Sequence, residues 1–65
     1  MRIQLNGEPH ETLASDLASL LRELSHAPDG VATALNREFV PRSERASTPL
    51  GEGDAVEVLT PMKGG

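Results

Sequence analysis

The sequence predicts an α+β fold of two layers, one helix packed on a small mixed sheet. Three observations carry that prediction. Residues 2–5 and 55–60, at opposite ends of the chain, alternate polar and apolar side chains with the period of half-buried strands. Between them the leucines at 13, 17, 20, 21 and 24 share one face of a helix. Turn-forming residues separate the remaining stretches into short pieces, the largest run being residues 41–49.

In order, Ile3 and Leu5 alternate with Arg2 and Gln4, and Asn6-Gly7 follows at once. That pair is a strong hairpin indicator because both residues tolerate positive φ. The return strand runs from Glu8 to Glu11 or Thr12, and Pro9, which has no N–H to donate, places it at a sheet edge. Ser15 is the expected N-cap of the helix, with Asp16 in its first turn near the positive end of the dipole. His26, Pro28, Asp29 and Gly30 close it. About three turns are too few to sustain a coiled coil, so the stripe packs on the sheet. Residues 31–35 read as the next strand, with Val31, Thr33 and Leu35 on one face; Asn36 interrupts it and Glu38-Phe39-Val40 resumes it. Residues 41–49 form a polar crossing segment, and Asn36 and Pro41 set the turn after the strand. Gly51-Glu52-Gly53-Asp54 is a tight turn before the last strand, in which Val56 and Val58 share a face. Pro61 ends the regular pattern.

The first and last strands are the most strand-like and are expected to pair at the centre of the sheet, the β-grasp arrangement. Residues 1–60 form that domain, and residues 61–65 form an extended, flexible tail leaving the end of a central strand. At about 3.4 Å per residue the tail reaches roughly 17 Å, enough to enter a partner's cleft.

Size and composition remove several classes of function. Sixty-five residues make one domain, which buries only about 60 % of its unfolded surface and has little room for an enclosed pocket. There is no cysteine, hence no disulfide, thiolate nucleophile or cysteine-ligated metal. The net charge of −4 and a single aromatic, Phe39, argue against nucleic acid, which needs clustered cations and stacking rings. No run approaches the roughly 20 apolar residues of a membrane span, and the start lacks the apolar core of a signal peptide. A cytoplasmic location is the simplest expectation.

The sequence closes on Gly64-Gly65. Two glycines make a thin thread that can enter a narrow active site backbone-first, carrying a carboxylate that can be activated as an acyl group; frayed chain ends are also glycine-rich. The rest of the chain distinguishes the two. Ala34-Leu35-Asn36-Arg37-Glu38-Phe39-Val40-Pro41-Arg42, Thr48-Pro49-Leu50, Gly53-Asp54-Ala55-Val56-Glu57-Val58 and the terminal glycines, with the Asn6-Gly7 hairpin and the leucine helix, resemble the ThiS family of sulfur carriers in thiamine biosynthesis. The resemblance covers nearly the whole chain and implies a ubiquitin-like β-grasp. It implies that Gly65 is adenylated by an E1-like ThiF adenylyltransferase using Mg-ATP and converted by a persulfide donor to a thiocarboxylate. ThiG, the thiazole synthase, would receive that sulfur. Gly64, Lys63 and Met62 would thread into the partner's active site. No cofactor is bound and no catalytic residue is implied in the chain itself. Two departures stand out: Arg45 occupies a position where family members often carry tryptophan or another bulky apolar residue, and Met62-Lys63 replace a small or apolar pair. A MoaD-like carrier for molybdopterin synthesis and a ubiquitin-like protein modifier are the alternatives, sharing the terminal chemistry with other acceptors.

The other polar residues carry less. His10 and His26 are far apart and read as solvated, since metal sites need three or four converging ligands. His26 suits the negative end of the helix dipole. Asp16, Asp54 and Glu57 read as a cap, a turn and an exposed strand face. Arg42 and Arg45 either line a docking surface or, the preferred reading, solvate the crossing loop.

Overall fold

The computed structural model describes residues 1–26 and 30–60. Strands β1 (Arg2–Leu5) and β2 (Glu8–Glu11) form an antiparallel hairpin, followed by helix α1 (Leu17–Glu23). A second antiparallel hairpin, β3 (Ala32–Leu35) with β4 (Glu38–Val40), leads through a 3₁₀ helix (Arg42–Ser47) to the last strand, β5 (Ala55–Leu59). The sheet order is β2-β1-β5-β3-β4. β5 therefore lies in the middle, parallel to β1 with Leu5 opposite Val56, and antiparallel to β3 with Thr33 opposite Val58. This is the β-grasp that the element order predicts, with Pro9 on an edge strand and the first and last strands paired at the centre.

Both hairpins turn through left-handed backbone. Asn6 and Gly7 have φ of 50° and 84°, Asn36 and Arg37 of 51° and 72°. The second turn corrects the reading of residues 38–40. They do not resume the strand; they double back beside it as β4, because Asn36 and Arg37 both adopt the positive φ that a two-residue hairpin requires.

The core gathers Ile3, Leu17, Leu20, Leu21, Val40, Leu50, Val56 and Val58, with Ala14 at its margin. The leucine stripe needs one correction: Leu13 is 95 % exposed. The Thr12 hydroxyl accepts from the Ala14 N–H and a Glu23 carboxylate oxygen accepts from the Leu13 N–H, which keeps residues 12–14 out of the helix. The N-cap is Asp16, not Ser15. The Ser15 carbonyl accepts from the Leu50 N–H (3.0 Å), and Asp16 bridges Pro49, so the chain stays extended one residue longer. Asp16 then accepts from the Ser19 N–H at 2.7 Å.

At the other end of α1, Ser25 has φ 64°; its N–H bonds the Arg22 carbonyl (3.1 Å), and the His26 N–H bonds that of Leu21 (3.0 Å). This pair of bonds is a Schellman motif, closed by a serine in the position glycine usually holds. Pro28 and Asp29, expected to help close the helix, lie outside the described residues. Pro41 begins the 3₁₀ helix instead of setting the preceding turn.

Candidate functional site

The geometry that matters most lies where β5 ends. Val56 and Val58 point into the core, so Glu57 and Leu59 point to the opposite face of the sheet, and Thr60 follows exposed. Met62, Lys63, Gly64 and Gly65, the residues of the expected threading tail and its reactive end, lie outside the described residues.

The end of β5 is held from both sides. On one side Ala32 of β3 lies opposite Leu59. On the other, β1 has finished at Leu5, and Asn6 takes over with its main chain and its side chain. The Asn6 N–H donates to the Val56 carbonyl (2.9 Å), its Oδ1 accepts from the Val58 N–H (2.9 Å), and its Nδ2 donates to the Val58 carbonyl (3.3 Å). At the start of β5, Asn36 does the same from the β3 side. Its N–H donates to the Ala55 carbonyl (2.7 Å), its Oδ1 accepts from the Ala55 N–H (3.0 Å), and its Nδ2 reaches Asp54 Oδ1 (3.3 Å).

The face of the sheet away from α1 carries an apolar strip beside this end. Leu59 is 63 % exposed and Phe39 70 %; Ala32 lies opposite Leu59, and Ala34 lies opposite both Phe39 and Glu57. Sequence reasoning passed over both Leu59 and Phe39. Leu59 was recoverable from parity, since Val56 and Val58 inward dictate Leu59 outward. Phe39 was hidden by the misread turn.

Arg45 departs furthest from expectation: it is 4 % exposed, not a solvating loop residue. Its Nε donates to the Thr33 hydroxyl (3.1 Å) and a terminal nitrogen donates to the Val31 carbonyl (2.8 Å), while Thr33 donates to the Val40 carbonyl (3.0 Å). The guanidinium thus ties the 3₁₀ helix to β3 and β4. It also lines, with Leu21, Arg22, His26 and Arg42, a cleft of about 300 Å³ between α1 and the 3₁₀ helix.

The remaining polar residues do not converge. His10 is half-buried, with Nε2 3.8 Å from Glu23 Oε1, while His26 lies in the cleft just described. The Thr12 hydroxyl and the Leu13 N–H, both donating to Glu23, hold its carboxyl below the ordinary value, with His10 adding to the effect. Asp16 is also lowered, by the Ser19 N–H first; desolvation opposes this as the second-largest effect, and the Ser19 hydroxyl and the Arg22 charge lower it further. Asp54 accepts from the Gly51 N–H (2.8 Å) within its turn, and Glu57 is exposed. Among the described residues no group of three or more histidine, aspartate or glutamate side chains is placed to hold a metal ion. No helix among them is long and apolar enough to cross a membrane.

Comparison with known proteins gives a consistent result. The model of the ThiS family matches residues 3–65. The chain is 40 % identical over 63 residues to the sulfur carrier protein ThiS of Thermus thermophilus, covering 97 % of this chain and 98 % of that one. It is 41 % identical over 66 residues to a thiazole synthase of Magnetococcus marinus, matching all of this chain but only 20 % of that protein. The crystal structure of the thiamine biosynthesis protein ThiS of Geobacter metallireducens superposes with a TM-score of 0.84 at 33 % identity, each chain covered completely. A solution structure of a thiamine biosynthesis protein from the same organism gives the same score and identity.

Proposed function

Since the chain belongs to the ThiS family, we propose that it carries sulfur for thiazole formation in thiamine biosynthesis, with Gly65 as the loaded residue. The observation that carries the reading is a family match that runs through the terminal glycines on a body whose last strand is the centre of the sheet. In this reading residues 1–60 are the body and residues 61–65 the tail.

A carboxylate is a poor electrophile because its charge is delocalised and it has no good leaving group. Adenylation changes this: a Gly65 carboxylate oxygen attacks the α-phosphorus of Mg-ATP, pyrophosphate departs, and AMP becomes the leaving group. The terminal sulfur of a persulfide then displaces AMP. Cleavage of the resulting acyl disulfide by a thiol leaves the thiocarboxylate. An E1-like ThiF enzyme supplies the first step, and a ThiG-type synthase accepts the sulfur in the cytoplasm. The thiazole synthase of Magnetococcus marinus, one fifth of which is similar to this chain, supports the pairing of carrier with synthase. The chain supplies no catalytic group in this scheme. Gly65 receives the sulfur, and Gly64, Lys63 and Met62 thread.

The test is the intact mass of the full chain after incubation with Mg-ATP, a ThiF-like enzyme and a persulfide source. A species heavier by the replacement of one oxygen by sulfur, lost when Gly65 is deleted, is expected. An unchanged mass, or lysine-linked adducts in cell extract, overturns the reading in favour of a plain binding domain or a protein modifier.

A further inference from the structure

We infer that Asn6 is a positioning residue for the activation of Gly65, an inference that rests on the carrier reading above. β1 pairs with β5 only as far as Leu5 opposite Val56. Beyond that point the Val58 N–H and carbonyl face a hairpin turn, and the Asn6 side-chain amide supplies both the acceptor and the donor that a further strand residue would have supplied. The amide thus extends the ladder by one rung, to within two residues of Thr60. A tail that starts from a fixed root loses less conformational freedom on entering a partner's cleft than one whose strand frays first.

Asn36 provides an internal control. It has the same residue type, a matching positive φ (51° against 50°) and a side chain that also makes two bonds, one with the Ala55 N–H and one with the Asp54 carboxylate, but at the far end of β5. Glycine is free to adopt this φ, so Asn6→Gly and Asn36→Gly each remove a side-chain grip while preserving the turn.

The experiment measures two quantities on full-length wild type and both variants. One is amide hydrogen exchange at Val58; the other is the dependence of adenylate formation on carrier concentration with a ThiF-like enzyme and Mg-ATP. For Asn6→Gly, Val58 exchange is expected to speed up, and kcat/KM to fall, each on the order of ten-fold, the kinetic loss residing in KM; this is the scale of one to two hydrogen bonds. Asn36→Gly is expected to lose similar global stability yet load like the wild type. Asn6→Asp keeps the turn and the acceptor for the Val58 N–H but not the donor, and is expected to lie between. It decides the matter should Asn6→Gly fail to fold. Wild-type loading efficiency in a folded Asn6→Gly overturns the inference, as does equal impairment by Asn36→Gly, which would make both asparagines merely structural. A wild-type chain that forms no adenylate is a different result, one that overturns the carrier reading itself.

Discussion

Replacing Ser25 with glycine should make this protein more stable. Ser25 sits at φ 64°, where a Cβ crowds the following carbonyl oxygen. For an L-residue that conformation costs roughly 1–2 kcal/mol. It is held there by the two bonds that close α1, Ser25 N–H to Arg22 and His26 N–H to Leu21. Both bonds are main-chain and survive the substitution, and the serine side chain is exposed. Against the relief stands the larger freedom of glycine in the unfolded chain, about 0.5–1 kcal/mol. The net gain is on the order of 0.5–1 kcal/mol. For a domain of this size 1 kcal/mol moves the melting temperature by about 4–8 °C, so a rise of about 2–8 °C is expected. Thermal unfolding followed by far-ultraviolet circular dichroism measures it, with Ser25→Ala as a control that keeps the Cβ and gains nothing. A melting temperature equal to or below the wild-type value for Ser25→Gly would refute the reasoning.

Three further outcomes are expected. Arg45→Ala should cost about 2–4 kcal/mol in urea unfolding, because it empties a buried site and strands the Val31 carbonyl that the guanidinium now satisfies; a loss below about 0.5 kcal/mol would mean the buried guanidinium is dispensable. Asp16→Ala should cost about 1 kcal/mol at pH 7 as a lost N-cap. The capping interaction holds the Asp16 carboxyl below its ordinary value of 3.8, so its stabilisation is fully present above that pH and disappears as pH falls through the lowered value. The difference between wild type and variant should therefore shrink in strong acid, and a difference constant with pH would contradict the cap. Gly64→Val should leave the melting temperature of the body unchanged and slow adenylation, since a channel fitted to glycine has no room for a branched side chain; equal adenylation rates would contradict threading.

Asn6-Gly7 announced its hairpin because both residue types favour the conformation the turn demands. Asn36-Arg37 adopts the same conformation without announcing it, since arginine rarely takes positive φ, so residues 38–40 look in sequence like a continuation of β3. Leu13 fits the helical spacing as well as Leu17 does. The Thr12 hydroxyl and the Glu23 carboxylate, brought together by folding, help keep it outside. Arg45 is buried by acceptors 12 and 14 residues away in sequence, at Thr33 and Val31. A six-residue 3₁₀ helix has too few turns for periodicity to reveal which side faces inward. The role proposed for Gly64 and Gly65, by contrast, rests on the family resemblance of the sequence and on no tertiary contact.

The strand made last is the strand the others depend on. Each hairpin joins neighbours in sequence and is within reach of an incomplete chain. The two halves of the sheet meet only through β5, whose partner β1 lies about 50 residues earlier. Closing so long a loop precedes any reward from the contacts it makes, so this step is expected to set the pace of folding. The two half-sheets cannot join before residues 55–59 are available to pair.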